Sequence, residues 1–134
     1  MDILIIEDNI DIVDLLTRKL ESYIEKGNLV WCSGGNKAEK LMKEEWDIIL
    51  LDHDLPNGET GWRLLNNTDM VRKLHKKKAF IVGISAVYAN NKRLIQHGAN
   101  VKVDKMDADF YNQILSIIES LEASKKIINE TKTN

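Results

Sequence analysis

Five short aliphatic runs, rich in β-branched residues, punctuate this chain: Ile3–Ile6, Leu29–Trp31, Ile48–Leu51, Phe80–Ile84 and Val101–Val103. The first, third and fourth show no alternation of apolar and polar positions. That is the pattern of strands buried on both faces, which requires a layer of helices on each side of the sheet. The intervening segments can supply those layers. After Asn9, apolar residues fall at Val13, Leu16, Leu20 and Ile24, in steps of three and four. Asp8 or Asn9 can cap this helix and Gly27 can end it. A second helix is expected over Asn36–Glu45, with Ala38, Leu41 and Met42 inward. A third starts near Gly61 with Leu64 and Leu65 and is interrupted by Asn66-Asn67-Thr68-Asp69. It resumes at Met70, Val71 and Leu74 and closes on Lys76-Lys77-Lys78, whose charges suit the negative end of a helix dipole. A fourth covers Asn90–His97 and stops at Gly98. A fifth begins after Asp107 and runs through Phe110, Ile114, Ile117 and Leu121.

Five β–α units with right-handed crossovers make an α/β domain with a doubly wound parallel sheet. Residues 1–122 are read as this domain. Residues 123–134 are read as a polar tail in which Ile127 and Ile128 can extend the last helix by a turn before it frays. With 134 residues the chain buries enough surface to fold without a metal or disulfide staple. The single cysteine, Cys32, can form neither an internal disulfide nor a cysteine-rich zinc site. Lys+Arg 19 against Asp+Glu 21 leaves a net charge of -2, which argues against a dedicated nucleic-acid binder. No apolar run approaches the roughly 18 residues of a membrane span, and the N-terminal apolar run, short and without a basic flank, is not expected to act as a signal peptide. A cytoplasmic protein without membrane or direct nucleic-acid contact is expected.

Open α/β sheets place their function outside the carboxyl ends of the strands. Glu7 and Asp8 follow the first strand, and Asp52, His53 and Asp54 follow the third. Ser85 follows the fourth, and Asp104 and Lys105 follow the fifth. Two like charges ~4 Å apart repel by about 4 kcal/mol at an effective dielectric of 20, so such a cluster calls for a hard cation. Oxygen-only ligation with few protein ligands suits Mg²⁺. A carboxylate beside a metal and a lysine can act as a nucleophile toward phosphorus, with the Ser85 hydroxyl bonding a phosphoryl oxygen. Capping alone accounts for a lone Asp8, and a turn for Ser85. It is their coincidence after successive strands that capping does not explain.

The ordered set ILIIED, DIILLDHDLP, IVGISA and GANVKVDK resembles that of bacterial response-regulator receiver domains, in particular the stand-alone chemotaxis regulator. The resemblance spans roughly residues 1 to 122. It implies a flavodoxin-like sheet of order 2-1-3-4-5 with five helices. It implies that Asp52 accepts phosphate, that Glu7, Asp8, Asp52 and the backbone carbonyl of Asp54 hold Mg²⁺, and that Ser85 and Lys105 contact the phosphoryl group. It implies a sensor histidine kinase or histidine phosphotransfer protein as donor, output through an unnamed downstream protein target or through relay of the phosphate onward to a histidine, and a monomer or phosphorylation-dependent dimer. A turnover enzyme is not implied, beyond slow self-dephosphorylation, and no effector domain is expected after Leu121. Three departures stand out. Met106 replaces the usual proline after the lysine, Lys102 replaces a common aromatic (with Tyr88 as a nearby substitute), and Asn57–Gly61 is one residue longer than usual.

Two other classes fit parts of the pattern. Ile48–Asp54 resembles the hhhhDxD signature of haloacid-dehalogenase-type phosphatases, with Asp52 as nucleophile and Asp54 as general acid, but leaves Glu7 and Asp8 unused. A phosphorylation-independent adaptor of the same fold would not need the acids at all. His53 is expected off the far side of the strand or in solvent. Trp31 and Trp46 are expected in packing, with Trp62 near the acidic edge.

Overall fold

The computed structural model describes residues 1–24, 27–55, 60–65, 73, 76 and 79–133. The five apolar runs form the strands β1 (Ile3–Ile6), β2 (Leu29–Cys32), β3 (Ile48–Asp52), β4 (Phe80–Ser85) and β5 (Val101–Asp104). All are parallel, in the order β2-β1-β3-β4-β5. Every residue of β1 and β3 is buried, as the apolar runs Ile3–Ile6 and Ile48–Leu51 require, and the burial extends to Asp52 at the end of β3. Ile3, Ile5, Ile48 and Leu50 face one apolar layer, while Leu4, Ile6, Ile49 and Leu51 face the other. The period of two along a strand thus feeds two separate cores.

Five helices flank the sheet among the described residues: α1 (Ile10–Leu20), α2 (Gly35–Met42), α3 (Gly61–Leu65), α4 (Tyr88–Gln96) and α5 (Phe110–Thr133). α1 and α5 cover one face, with Val13, Leu16 and Leu20 against Phe110, Ile114 and Ile118. Each such side chain contributes about 1.5–3 kcal/mol on burial. α1 stops at Leu20 rather than near Gly27, because Glu21–Tyr23 tighten into a 3-10 turn. α2 stops at Met42 rather than Glu45, and the Trp46 indole donates to the Leu41 carbonyl at 2.6 Å, satisfying one of the orphaned acceptors at its end. α4 ends as expected at Gly98, whose φ of 119° only glycine adopts without strain. α5 continues through Ile127 and Ile128 to Thr133. The polar break at 66–69, the resumption at Met70, Val71 and Leu74, and the long loop at 57–59 lie outside the described residues, as do Lys77 and Lys78. Among the described residues no helix is long and apolar enough to cross a membrane.

Candidate functional site

Strand register assembles the site. Ile6 pairs with Leu51, Asp52 with Ile84, and Ser85 with Asp104. The next residue along β1 is therefore Glu7, abreast of Asp52, and the next along β5 is Lys105, one step beyond the Ser85–Asp104 pair. Main-chain bonds lock this edge: His53 N to Ile84 O at 3.1 Å, Lys105 N to Ser85 O at 3.1 Å, and Glu7 N to Cys32 O at 3.1 Å. Gly61, the first residue of α3, presses directly on the end of β3. A Cβ there would stand 2.2 Å from the Asp52 carbonyl oxygen, so only glycine fits.

Glu7, Asp52 and Ser85 are fully buried. Lys105 Nζ sits between the two carboxylates, 2.7 Å from Glu7 Oε2 and 2.9 Å from Asp52 Oδ1. Carboxylate oxygens of Glu7, Asp8 and Asp52 all lie within 4.8 Å of one another. Asn9, not Asp8, caps α1, its side chain accepting the Asp11 amide at 3.0 Å. Capping therefore does not account for Asp8, which is exposed at the mouth of the cleft.

The charges here do not balance. One ammonium faces two buried carboxylates, with a third acid beside them. Burial pushes the Asp52 carboxyl up to about 7; the Glu7 charge adds to this, while the bond from Lys105 opposes it. Burial also pulls on Lys105, but its bonds to Glu7 and Asp52 outweigh this and raise its pKa. Asp52 Oδ2 is buried and has no hydrogen-bond partner among the described residues. Three carboxylates within reach of one point, an orphaned oxygen and a residual negative charge fit a hard divalent cation bound through oxygen.

Asp54 is more exposed. Its amide donates to Asp52 Oδ1 at 3.3 Å. Ser85 does serve a turn, since Val87 N donates to its Oγ at 3.1 Å, yet the same hydroxyl donates toward Asp54 Oδ2 at 3.5 Å. All six site residues expected from sequence thus meet at one edge, with the Ser85 hydroxyl directed at Asp54. His53 is not in solvent. It is 4% exposed, with Nδ1 3.1 Å from Asp54 Oδ1. Met106 is 77% exposed, in a turn where its amide donates to Asp104 Oδ1 at 2.8 Å. Lys102 is exposed. The side chains of Tyr88 and Trp62 lie outside what is described.

Three residues escaped the sequence reading. The Trp31 indole donates to the Glu7 carbonyl at 2.6 Å, which steadies the turn carrying Glu7 and Asp8. Buried Asn91 donates to the Ser85 carbonyl at 3.0 Å, and Asn90 Nδ2 lies 3.5 Å from Asp54 Oδ1. The Asn90-Asn91 pair opening a weakly amphipathic helix was the available signal, since an asparagine turned inward needs a partner.

No protein-family model matches the sequence, and no curated protein matches it. Solved structures do match in shape. The receiver domain of a sensor histidine kinase from Pseudomonas aeruginosa, with a magnesium ion in its active-site cleft, gives a TM-score of 0.70 at 19% identity, covering 90% of this chain and 95% of that one. A response regulator from Burkholderia pseudomallei with a phosphorylated aspartate, calcium and citrate gives 0.67 at 21% identity, over 96% and 74%. A CheY-like receiver-domain protein from Methanospirillum hungatei gives 0.67 at 21% identity, over 92% and 97%. The chain has the receiver fold.

Proposed function

We propose that this chain is a cytoplasmic phosphorylation switch. In this reading Asp52 takes a phosphoryl group from a phosphohistidine on a sensor kinase or histidine phosphotransfer protein, and the modified domain then binds its protein targets differently. One observation carries the reading. Lys105 fixes one oxygen of Asp52, while the other is buried with no partner among the described residues. A carboxylate so held presents a lone pair in a defined direction. In the transfer, an Asp52 oxygen forms a bond to phosphorus as the phosphorus–nitrogen bond of the donor breaks. The electron pair returns to the donor imidazole, which then takes up a proton.

Glu7, Asp8, Asp52 and the backbone carbonyl of Asp54 would hold Mg²⁺, which when bound supplies positive charge against the phosphoryl oxygens. Lys105 stays beside the acyl phosphate and offsets part of the −1.5 to −2 charge, roughly, that the phosphoryl group adds. Ser85 can donate its hydroxyl proton to a phosphoryl oxygen. The magnesium and phosphoaspartate of two structural neighbours support this assignment.

Incubation with acetyl phosphate and Mg²⁺ tests it. Intact mass spectrometry should find one phosphate on the wild-type chain and none on Asp52→Asn. A folded wild-type chain that gains no phosphate overturns the reading. Sustained Asp52-dependent hydrolysis of a phosphomonoester would move the chain to the phosphatase class instead. Sedimentation with and without acetyl phosphate would show whether the switch acts as a monomer or a dimer.

A further inference from the structure

The Asp54 carboxylate is the meeting point of polar groups from three elements. His53 Nδ1, at the end of β3, lies 3.1 Å from Oδ1. Asn90 Nδ2, in the first turn of α4, lies 3.5 Å from the same oxygen, and Ser85 Oγ, at the end of β4, lies 3.5 Å from Oδ2. The His53 side chain is 5% exposed and that of Asp54 60% exposed. The ring is therefore a fixed post, and the carboxylate is the part free to move.

A serine has one hydroxyl proton. The oxygen of Ser85 already accepts the Val87 amide, and its proton is directed at Asp54. A phosphoryl oxygen on Asp52 would be a second anionic acceptor for that same proton, and the two cannot both have it. We propose that Asp54, steadied by His53, is a built-in competitor of the phosphoryl group. It holds Ser85 and Asn90 in the resting arrangement and releases both when Asp52 is modified. This rests on the phosphoryl-acceptor reading of Asp52.

Two features make the exchange directional. The phosphoryl group adds negative charge close to the Asp54 carboxylate, which repels it as the Ser85 proton leaves. Asn91, adjacent to Asn90, grips the Ser85 carbonyl and is buried. The first turn of α4 thus carries one contact that breaks and one that stays, so the helix start pivots rather than detaches. The two 3.5 Å contacts are long for hydrogen bonds, which suits a hold that must be released and limits its size.

The test uses the full chain, with beryllofluoride plus Mg²⁺ as phosphoryl mimic and amide hydrogen exchange without any ligand. Asp54→Ala should tighten beryllofluoride binding about three- to tenfold, the range of a net hydrogen bond. It should also speed exchange of the Asn90 and Asn91 amides in the unliganded chain. Loss of a negative charge would tighten anion binding by itself, so the Ser85→Ala background decides. There Asp54→Ala should change the affinity by less than about twofold, because the coupled partner is gone. His53→Phe keeps the Asp54 charge and should move both readouts the same way by a smaller factor. Equal tightening with and without Ser85 overturns the proposal, as does unchanged exchange in Asp54→Ala. A wild-type chain that binds no beryllofluoride overturns the phosphoryl-acceptor reading instead, and the exchange result then judges the Asp54 contacts on their own.

Discussion

The two edges of the sheet hold aspartates flanking the same strand and treat them in opposite ways. At the amino edge, Asp47 precedes β3. Its Oδ2 accepts the Asp2 amide at 2.7 Å, and Lys125 of α5 bonds its Oδ1. Asp2 accepts the Asn28 amide at 2.9 Å on its side chain, and the Asp47 and Ile48 amides at 2.9 and 3.2 Å on its carbonyl. Burial alone would raise the Asp47 pKa, but the bonds from Lys125 and Asp2 outweigh it and hold the carboxyl below its usual range. At the carboxyl edge, Asp52 ends that five-residue strand, and there burial wins, helped by Glu7. One edge pairs its part-buried Asp47 carboxylate internally. The other leaves charge unmatched, which is stable only if something from outside completes it.

The comparison can be broken in four ways. Lys105→Met would leave Glu7 and Asp52 buried with no cation and should cost about 3–5 kcal/mol in denaturant unfolding without metal. A negligible loss would show that the edge is not held by charge. Asp52→Asn should act in the opposite direction. It removes a charge whose burial the fold opposes, so the metal-free chain should gain roughly 1–3 kcal/mol at pH 8. The sign follows from proton binding. Between 3.8 and about 7 the folded Asp52 keeps a proton that the unfolded chain has released, so wild-type stability falls as pH rises through that window. The gain from Asp52→Asn should therefore fade as pH falls from 7 toward 4. Third, Mg²⁺ must displace that proton, so calorimetric affinity should weaken as pH drops below about 7. PH-independent binding would exclude Asp52 from the metal site.

The smallest effect belongs to the matched edge. Lys125 is half exposed, so Asp47→Asn should cost only about 0.5–1 kcal/mol. The wild-type contribution of Asp47 is present above its unfolded pKa of 3.8 and lost as pH falls through the lower folded value. An acid titration of the two variants side by side would separate the two edges in one experiment.

The carboxyl edge was legible in the sequence because its chemistry follows from topology. Strands buried on both faces read as unbroken apolar runs, and in a parallel sheet whatever follows each run must meet the rest. Glu7, Asp52, Ser85 and Lys105 could be placed together on that ground alone. The amino edge was not legible. Its bonds join Asp2, Asp47 and Lys125 through backbone amides and a helix longer than the pattern suggested, and none of these partners is near another in sequence. Asn91 and Trp31 were hidden for a related reason. Each donates to a main-chain carbonyl, an acceptor every residue carries, so side-chain identity gives no clue to the partner. Helix ends failed where local tightening took over, as at Glu21–Tyr23.

The bond from the Trp31 indole to the Glu7 carbonyl has a practical consequence. Indole emission responds to its hydrogen bonding and to nearby charge, and this ring is 36% exposed beside the turn that carries Glu7 and Asp8. Trp46 is 7% exposed and bonded to Leu41, so it adds a steady background. The difference in fluorescence between the wild-type chain and Trp31→Phe should therefore follow cation arrival optically, without a label attached to the protein.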